Sequence, residues 1–171
     1  DGYMRISLHW YNYDDLDLHM KSPYGHVYYG NKAGLLDVDM NASGGSVSEE
    51  CANPKRYSRN AVENIIFSGV PKAGKYEVFV NNFVKIENID LGFEVEVELN
   101  GVIHKYVYDK AVTNHANVPV LDFTSNGHEI IFTKKYLGST TASKEIWGVK
   151  TQNFIEVSAI CLSPNYWGNN K

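Results

Sequence analysis

The chain has 171 residues and a formal net charge of −4, with 43% hydrophobic and 21% charged residues. This length supports a full hydrophobic core, and this composition excludes a disordered tail. The basic residues are scattered along the chain, which argues against nucleic acid as a partner. No apolar run approaches the roughly 20 residues of a membrane-spanning helix, so no membrane partner is predicted.

Two cysteines, Cys51 and Cys161, lie far apart in the sequence and form no CxxC pair. Spacing alone does not show whether they meet, so a disulfide and two free thiols both remain open. No signal peptide is visible, and a cytoplasmic or virion-associated location is expected rather than secretion. The abrupt start indicates a fragment of a longer chain, in which residues 1–171 form one domain.

Apolar and polar residues alternate along most of the chain, which predicts antiparallel strands with one face on a core and one in water. Trp10 lies on the apolar face of the first strand and is predicted to be part of the core. No segment has a convincing helical period. In chain order, strands are predicted at 4–10, 16–21, 26–30, 35–41, 63–67, 75–83, 93–99, 102–108, 118–123, 128–133, 145–149 and 153–162.

Turn residues separate these strands. Asn100-Gly101 lies between two alternating runs and predicts a tight hairpin. Ser125-Asn126-Gly127 predicts a second hairpin turn, and Pro23-Tyr24-Gly25 and residues 71–74 predict turns between successive strands.

Two longer segments, 41–62 and 135–144, are predicted to be loops. The first exceeds ordinary loop length and is expected to be either functional or mobile. Roughly ten or more short strands with turns between them predict an all-β antiparallel sandwich, Ig-like or jelly-roll-like, in preference to a barrel.

Acidic residues recur on two predicted strands. Asp15, Asp17 and His19 share one side of a strand, and Asp37 and Asp39 share one side of another. If these strands meet, several carboxylates converge, and like charges so close together require a cation. Since Ca²⁺ prefers oxygen ligands, the pattern predicts a Ca²⁺ site built from strand ends and loops.

The alternative is that these residues form the solvent face of ordinary amphipathic strands. Glu94, Glu96 and Glu98 form a similar ladder and are predicted to be plain surface. Asp is depleted in strands, so two separate Asp-x-Asp pairs need more explanation than the Glu ladder does.

Histidines and tyrosines suggest a second kind of site. His19 and His26 could meet across the Pro–Gly turn and form a zinc-like group with Asp17, although strand-face histidines are usually ordinary. Tyr24 and Tyr28 belong to an aromatic cluster that could form a sugar- or peptide-binding surface together with His19. The alternative is that these aromatic rings fill the core and cover the ends of the sandwich.

No motif of nucleophilic catalysis is present, since the chain lacks a GxSxG elbow and neither cysteine has a recognisable catalytic setting. Clustered carboxylates could perform glycosidase chemistry, which keeps a hydrolase among the alternatives.

The sequence resembles a group of bacterial and phage β-sandwich domains of largely unassigned function, often found beside von Willebrand factor A-type or protease domains. The resemblance covers residues 5–83 and rests on SLHWYNYDDLDLHMKSPYGHVYYGN, LLDVDMNASGG, ENIIF and PKAGKYEVFVNNF. The chain is similar, more loosely, to bacterial pre-peptidase C-terminal domains, which are non-catalytic sandwiches of which some bind calcium. The stretch CLSPNYWG, 161–168, also looks like a motif of phage-type uncharacterised proteins.

The resemblance implies metal-binding roles for Asp15, Asp17, Asp37, Asp39 and Glu63. Such domains usually turn quickly where this chain has its long 41–62 segment, which puts the site geometry near Asp39 in question.

Together these patterns predict a non-catalytic binding or structural module that is stabilised by Ca²⁺ and recognises a protein or carbohydrate partner. The alternatives are a carbohydrate-active or peptidase-associated hydrolase that uses the same carboxylates, and a virion or assembly component. The ligand and the oligomeric state are left open.

Overall fold

A computed structural model of the chain describes residues 2–43, 47–143, 145–146 and 149–150. Its strands are β1 (Met4–Trp10), β2 (Asp15–Ser22), β3 (Gly25–Val27), β4 (Ala61–Phe67), β5 (Gly74–Val84), β6 (Phe93–Leu99), β7 (Val102–Tyr108), β8 (Asn117–Ser125), β9 (Ile130–Lys135), β10 (Gly138–Ser143), β11 (Glu145–Ile146) and β12 (Val149–Lys150). The described residues contain one 3₁₀ helix, Glu49–Cys51, and no α-helix. No helix in this part of the chain could therefore cross a bilayer.

The strands form two antiparallel five-stranded sheets that pack together. The first sheet has the order β10-β7-β6-β1-β4 and the second the order β3-β2-β5-β8-β9, while β11 and β12 pair with each other. The prediction of an all-β sandwich is confirmed, because the two sheets bury one continuous core between them.

The core is built from alternate residues of the strands, as the sequence pattern predicted. Trp10 is fully buried, and its indole Nε1 donates a hydrogen bond of 2.7 Å to the carbonyl oxygen of Asp14. The inward side chains are Met4, Ile6, Leu8 and Trp10 of β1, Leu16, Leu18 and Met20 of β2, Tyr76, Val78 and Val80 of β5, and Phe93, Val95 and Val97 of β6.

The predicted turns lie where the sequence indicated. Leu99 pairs with Val102 around Asn100 and Gly101, whose φ angles of 52° and 73° are those of a type I′ hairpin. The second hairpin joins β8 to β9, and the turn at 23–25 joins β2 to β3. The turn at 71–74 leads from β4 in the first sheet to β5 in the second.

The alternation in residues 35–41 was misleading, because this segment is not a strand. Only Leu36 makes a β-bridge, to Ile65 of the edge strand β4. The chain then turns away, and Asn41 takes a positive φ of 60°. An amphipathic pattern can thus arise in a segment that crosses a sheet edge once rather than running along it.

Other boundaries differ from the predictions as well. The predicted loop 135–144 contains β10, an edge strand of small residues whose backbone pairs with β7. The predicted strand 26–30 is reduced to the three residues of β3. Of the predicted strand 145–149, the described residues belong to β11 and β12, and the predicted strand 153–162 lies outside the described residues.

Gly92, just before β6, offers a test of how closely the chain packs there. Its φ is +65°, and an added Cβ would lie 1.8 Å from the carbonyl oxygen of Tyr108. Gly101 has a similar φ of +73° but open space around it. We expect Gly92→Ala to lower the free energy of unfolding by more than ~3 kcal/mol and Gly101→Ala by about 1–2 kcal/mol. Urea unfolding measures both, and equal losses would contradict the close approach.

Candidate metal centre

The outer side of β2 is not open to solvent. Asp15, Asp17 and His19 point away from the core, yet they are only 2%, 2% and 8% exposed. The hypothesis that these residues form an ordinary solvent face is therefore wrong. Ala42 and Ser43, from the long segment before β4, lie against the aspartates and help to cover them.

Three of the predicted ligands come together at this point. Asp15, Asp17 and Asp39 each offer a carboxylate oxygen, and the three oxygens lie within 4.8 Å of one another. We call these residues the acidic triad. They line a cavity of about 370 Å³, whose other walls are Tyr29, Ala42, Ser43, Arg56 and Phe83.

Hydrogen bonds among the described residues do not satisfy every oxygen of the acidic triad. Oδ2 of Asp15 accepts hydrogen bonds from the backbone N and the Oγ of Ser43, at 2.8 and 2.7 Å. Oδ1 of Asp15 and Oδ2 of Asp17 are buried and have no hydrogen-bond partner among the described residues. A buried polar atom without a partner costs roughly 1–3 kcal/mol, and more if it carries charge. Something else must therefore satisfy these oxygens.

Burial and mutual repulsion raise the pKa values of the acidic triad. Burial raises the pKa of Asp17 to about 8, and the charges of Asp15 and Asp39 add to the effect. Burial also raises the pKa of Asp15, although the hydrogen bonds from Ser43 oppose it. Burial likewise raises the pKa of Asp39, against the lowering effect of Lys32. The acidic triad needs either protons or a cation, and it can hold a metal ion.

Glu63 is not a member of the acidic triad, but its carboxylate bonds to the backbone beside two of the three aspartates. Its Oε2 accepts a hydrogen bond of 2.8 Å from the backbone N of Leu18, and its Oε1 accepts one of 3.1 Å from the backbone N of Met40. These amides directly follow Asp17 and Asp39 in the chain. The fully buried Glu63 carboxylate thus fixes the two segments that carry these aspartates.

Asp37 was predicted as a ligand, but the structure places its carboxylate elsewhere. Its Oδ1 accepts a hydrogen bond of 2.8 Å from the backbone N of Asn64, and its Oδ2 accepts one of 2.7 Å from the Asn64 side chain. Asp37 is exposed and lies outside the acidic triad. Leu36 bridges to Ile65 of β4, and Asp37 directly follows it, so Asp37 lies beside the edge of β4. Asp39 lies two residues further along, where the chain has turned away from that edge.

His19 and His26 do meet across the turn, as the spacing suggested. His19 Nδ1 lies 2.9 Å from His26 Nε2, which is a hydrogen bond between the two rings rather than a pair of ligands on one ion. Tyr28 and Phe79 stack against the His19 ring, with centroids 5.6 and 4.8 Å away. Burial, aided by the positive charges of His26 and Lys21, lowers the pKa of His19 to about 4.

Tyr24 lies apart from these rings. It is 59% exposed, and its hydroxyl donates a hydrogen bond of 2.6 Å to the carbonyl oxygen of Ala73. Tyr24 borders a separate cavity of about 480 Å³, which Met20, Phe67 and Tyr76 also line. The three predicted ligand-binding residues, His19, Tyr24 and Tyr28, are therefore divided between two places.

Sequence reasoning missed several residues of the cavity. Phe83 lies there because a β-bulge shifts the pairing of β2 with β5 between Asp15 and Leu16, leaving Phe83 without a direct partner. Ser43 and Arg56 come from the long irregular segment, where no periodicity marks a position. Tyr29 directly follows Tyr28 of the predicted aromatic cluster, but nothing in the sequence connected it to the aspartates.

Comparison with protein-family models, curated proteins and solved structures found no match to this chain. The resemblance to bacterial and phage sandwich domains is not tested by these comparisons and stays a prediction. Fold and site together define an antiparallel β-sandwich with a buried acidic triad that can hold a metal ion.

The raised pKa of Asp17 predicts a pH dependence of stability. In the unfolded chain Asp17 loses its proton near its ordinary pKa of 3.8, whereas in the metal-free fold it keeps the proton up to about pH 8. Between these values the native state binds the extra proton, so its stability falls as the pH rises. We expect the free energy of unfolding in EDTA to fall more steeply from pH 5 to pH 8 in the wild type than in Asp17→Asn. Parallel urea-unfolding slopes in the two proteins would contradict this.

The position of Glu63 can be tested by an isosteric change. Glu63→Gln leaves one oxygen to accept the two backbone N–H groups that Glu63 now satisfies. We expect a loss of about 1–3 kcal/mol in the free energy of unfolding, measured with urea at neutral pH. Glu96→Gln, on the half-exposed ladder of β6, is the matched control and should change stability by less than about 0.5 kcal/mol. Equal losses of stability in the two variants would show that the hydrogen bonds of Glu63 do not stabilise the fold.

Proposed function

We propose that this protein is a non-catalytic binding or structural module, whose acidic triad holds one Ca²⁺ ion that fixes the loop before β4 against β2. The observation that carries the proposal is the pair of buried carboxylate oxygens, Asp15 Oδ1 and Asp17 Oδ2, that lack hydrogen-bond partners among the described residues. A bound cation would satisfy both oxygens and neutralise most of the buried charge.

The geometry suits a calcium ion. Protein oxygens lie about 2.3–2.6 Å from Ca²⁺, so two ligands of one ion are at most about 5 Å apart. The spread of 4.8 Å within the acidic triad meets this limit. The triad consists of carboxylates alone, whereas Zn²⁺ favours His and Cys. Mg²⁺ demands a stricter octahedron, whereas the flexible coordination of Ca²⁺ suits carboxylates that come from a strand and from a loop.

The effect of the ion would be to join two distant parts of the chain. Asp15 and Asp17 belong to β2, whereas Asp39 belongs to the irregular segment between β3 and β4. That segment is already tied down beside the ion site, because the Asn41 side chain bonds to backbone groups of Asn12 and Ser58. An ion at the acidic triad would extend this anchoring to Asp39 and hold the cavity walls in place.

The hydrolase alternative uses the same residues, since carboxylates with raised pKa values that line a cavity are also found in glycosidases. A glycosidase places its two carboxyl groups on opposite sides of the scissile bond. Here the three carboxylates converge on one point, which supports a shared ion more than an opposed acid and nucleophile.

Thermal melts test the proposal. At a Ca²⁺ concentration about 100 times Kd, the folded state gains about 2.7 kcal/mol, which raises Tm by roughly 5–10 °C for a chain of this size. We expect this rise in the wild type, reversal by EDTA, and no rise in the double variant Asp17→Asn with Asp39→Asn.

Asp37→Asn is the matched control, because Asp37 lies close to Asp39 in the chain but outside the acidic triad. It should keep the full Ca²⁺-dependent rise in Tm. Melts of the wild type that are the same with Ca²⁺ and with chelator would refute the proposal. If the single change Asp37→Asn abolished the rise in Tm, Asp37 would be a ligand of the ion, as the sequence pattern predicted.

A further inference from the structure

The cavity at the acidic triad is larger than an ion requires. Its volume of about 370 Å³ falls in the range of small-molecule sites, which is about 300–1,000 Å³. Ca²⁺ takes six to eight oxygen ligands. Three carboxylates leave coordination positions open for further oxygens unless all of them bind through both oxygens, and Asp15 Oδ2 is already engaged by Ser43.

Two aromatic rings form the apolar part of the cavity wall. The rings of Tyr29 and Phe83 lie 5.5 Å apart, inclined at 53°. Tyr29 is 41% exposed, so solvent and solutes reach the cavity at this ring. An exposed tyrosine beside hydrophilic groups offers a flat apolar face together with a hydroxyl that can donate or accept a hydrogen bond.

The charges around the cavity favour a neutral ligand. The acidic triad brings three negative charges, while Ca²⁺ brings two positive charges and Arg56 a third. Arg56 also donates a hydrogen bond of 2.9 Å to the carbonyl oxygen of Ala42, which keeps the guanidinium at the wall. Lys32 is bound to the carbonyl oxygen of Asp37, outside the cavity wall. The groups that line the occupied cavity therefore carry no net positive charge with which to attract an anionic ligand, and Lys32, which acts on Asp39, lies beyond the wall.

We propose that the ion and the Tyr29 ring together bind a neutral sugar of a glycan, with two adjacent hydroxyls of the sugar completing the coordination of Ca²⁺ and a C–H face of the ring packing on Tyr29. This inference rests on the proposed cation site and names the ligand class of that site. A sugar matches the cavity because its uncharged hydroxyl oxygens suit the ion at the acidic triad and its apolar face suits the aromatic part of the wall.

A microarray of neutral and acidic glycans, probed with fluorescently labelled protein in Ca²⁺ and in EDTA, tests the inference. We expect binding to neutral glycans in Ca²⁺ only. Tyr29→Ala should lower the affinity for the best glycan on the order of tenfold, the effect of one lost aromatic contact. The Ca²⁺ affinity of this variant, measured by calorimetry, should stay within about twofold of the wild type. Tyr11→Ala is the matched control, since Tyr11 is 43% exposed but does not line the cavity.

The outcomes separate this inference from the function on which it rests. A protein that binds Ca²⁺ by calorimetry but no neutral glycan overturns the sugar site and leaves the cation site standing. Binding to acidic glycans alone, binding that survives EDTA, or unchanged glycan affinity in Tyr29→Ala each overturns the inference as well. Absence of Ca²⁺ binding by calorimetry overturns the proposed function and this inference together.

Discussion

The arrangement of the site depends on bringing two buried carboxylates and a half-buried third close together, although their charges repel one another. Asp15 and Asp17 lie on the outer side of β2, because Leu16 and Leu18 face the core, and the segment with Ala42 and Ser43 covers them there. Asp39 is brought to them by a loop rather than by a sheet. Such a cluster is stable only when protons or a cation balance it, and this single requirement links fold, stability and ligand binding.

Buried polar groups around the cluster are arranged to hold it in place. Glu63 fixes the amides that follow Asp17 and Asp39, and Ser43 satisfies one oxygen of Asp15. Asn41 ties the same loop to the β1–β2 connection through the carbonyl oxygen of Asn12 and to its own later part through the backbone N of Ser58. Several hydrogen bonds thus position carboxylates of which two buried oxygens, Asp15 Oδ1 and Asp17 Oδ2, have no partner among the described residues. That combination supports the proposed ion site.

The parts of this structure that follow from local pattern were predictable. The type I′ turn at Asn100-Gly101 and the core position of Trp10 each depend on a few neighbouring residues, and the sequence indicated both. The acidic triad was predictable in part, because Asp-x-Asp spacing places Asp15 and Asp17 on one side of a strand. Asp37 and Asp39 have the same spacing, but they lie off the sheet, where period two no longer decides which side chain points inward. The roles of Phe83 and Ser43 depend on a bulge and on a loop path, and both are set by tertiary contacts that no local pattern encodes.

The most direct test of the central claim is a crystal structure of the chain grown with Ca²⁺ and examined by anomalous scattering. If Ca²⁺ occupies the acidic triad, we expect a peak among Asp15, Asp17 and Asp39, with carboxylate oxygens about 2.3–2.6 Å from it. Electron density without a peak, in which the carboxyl groups are protonated and hydrogen-bonded to one another or to water, would contradict it.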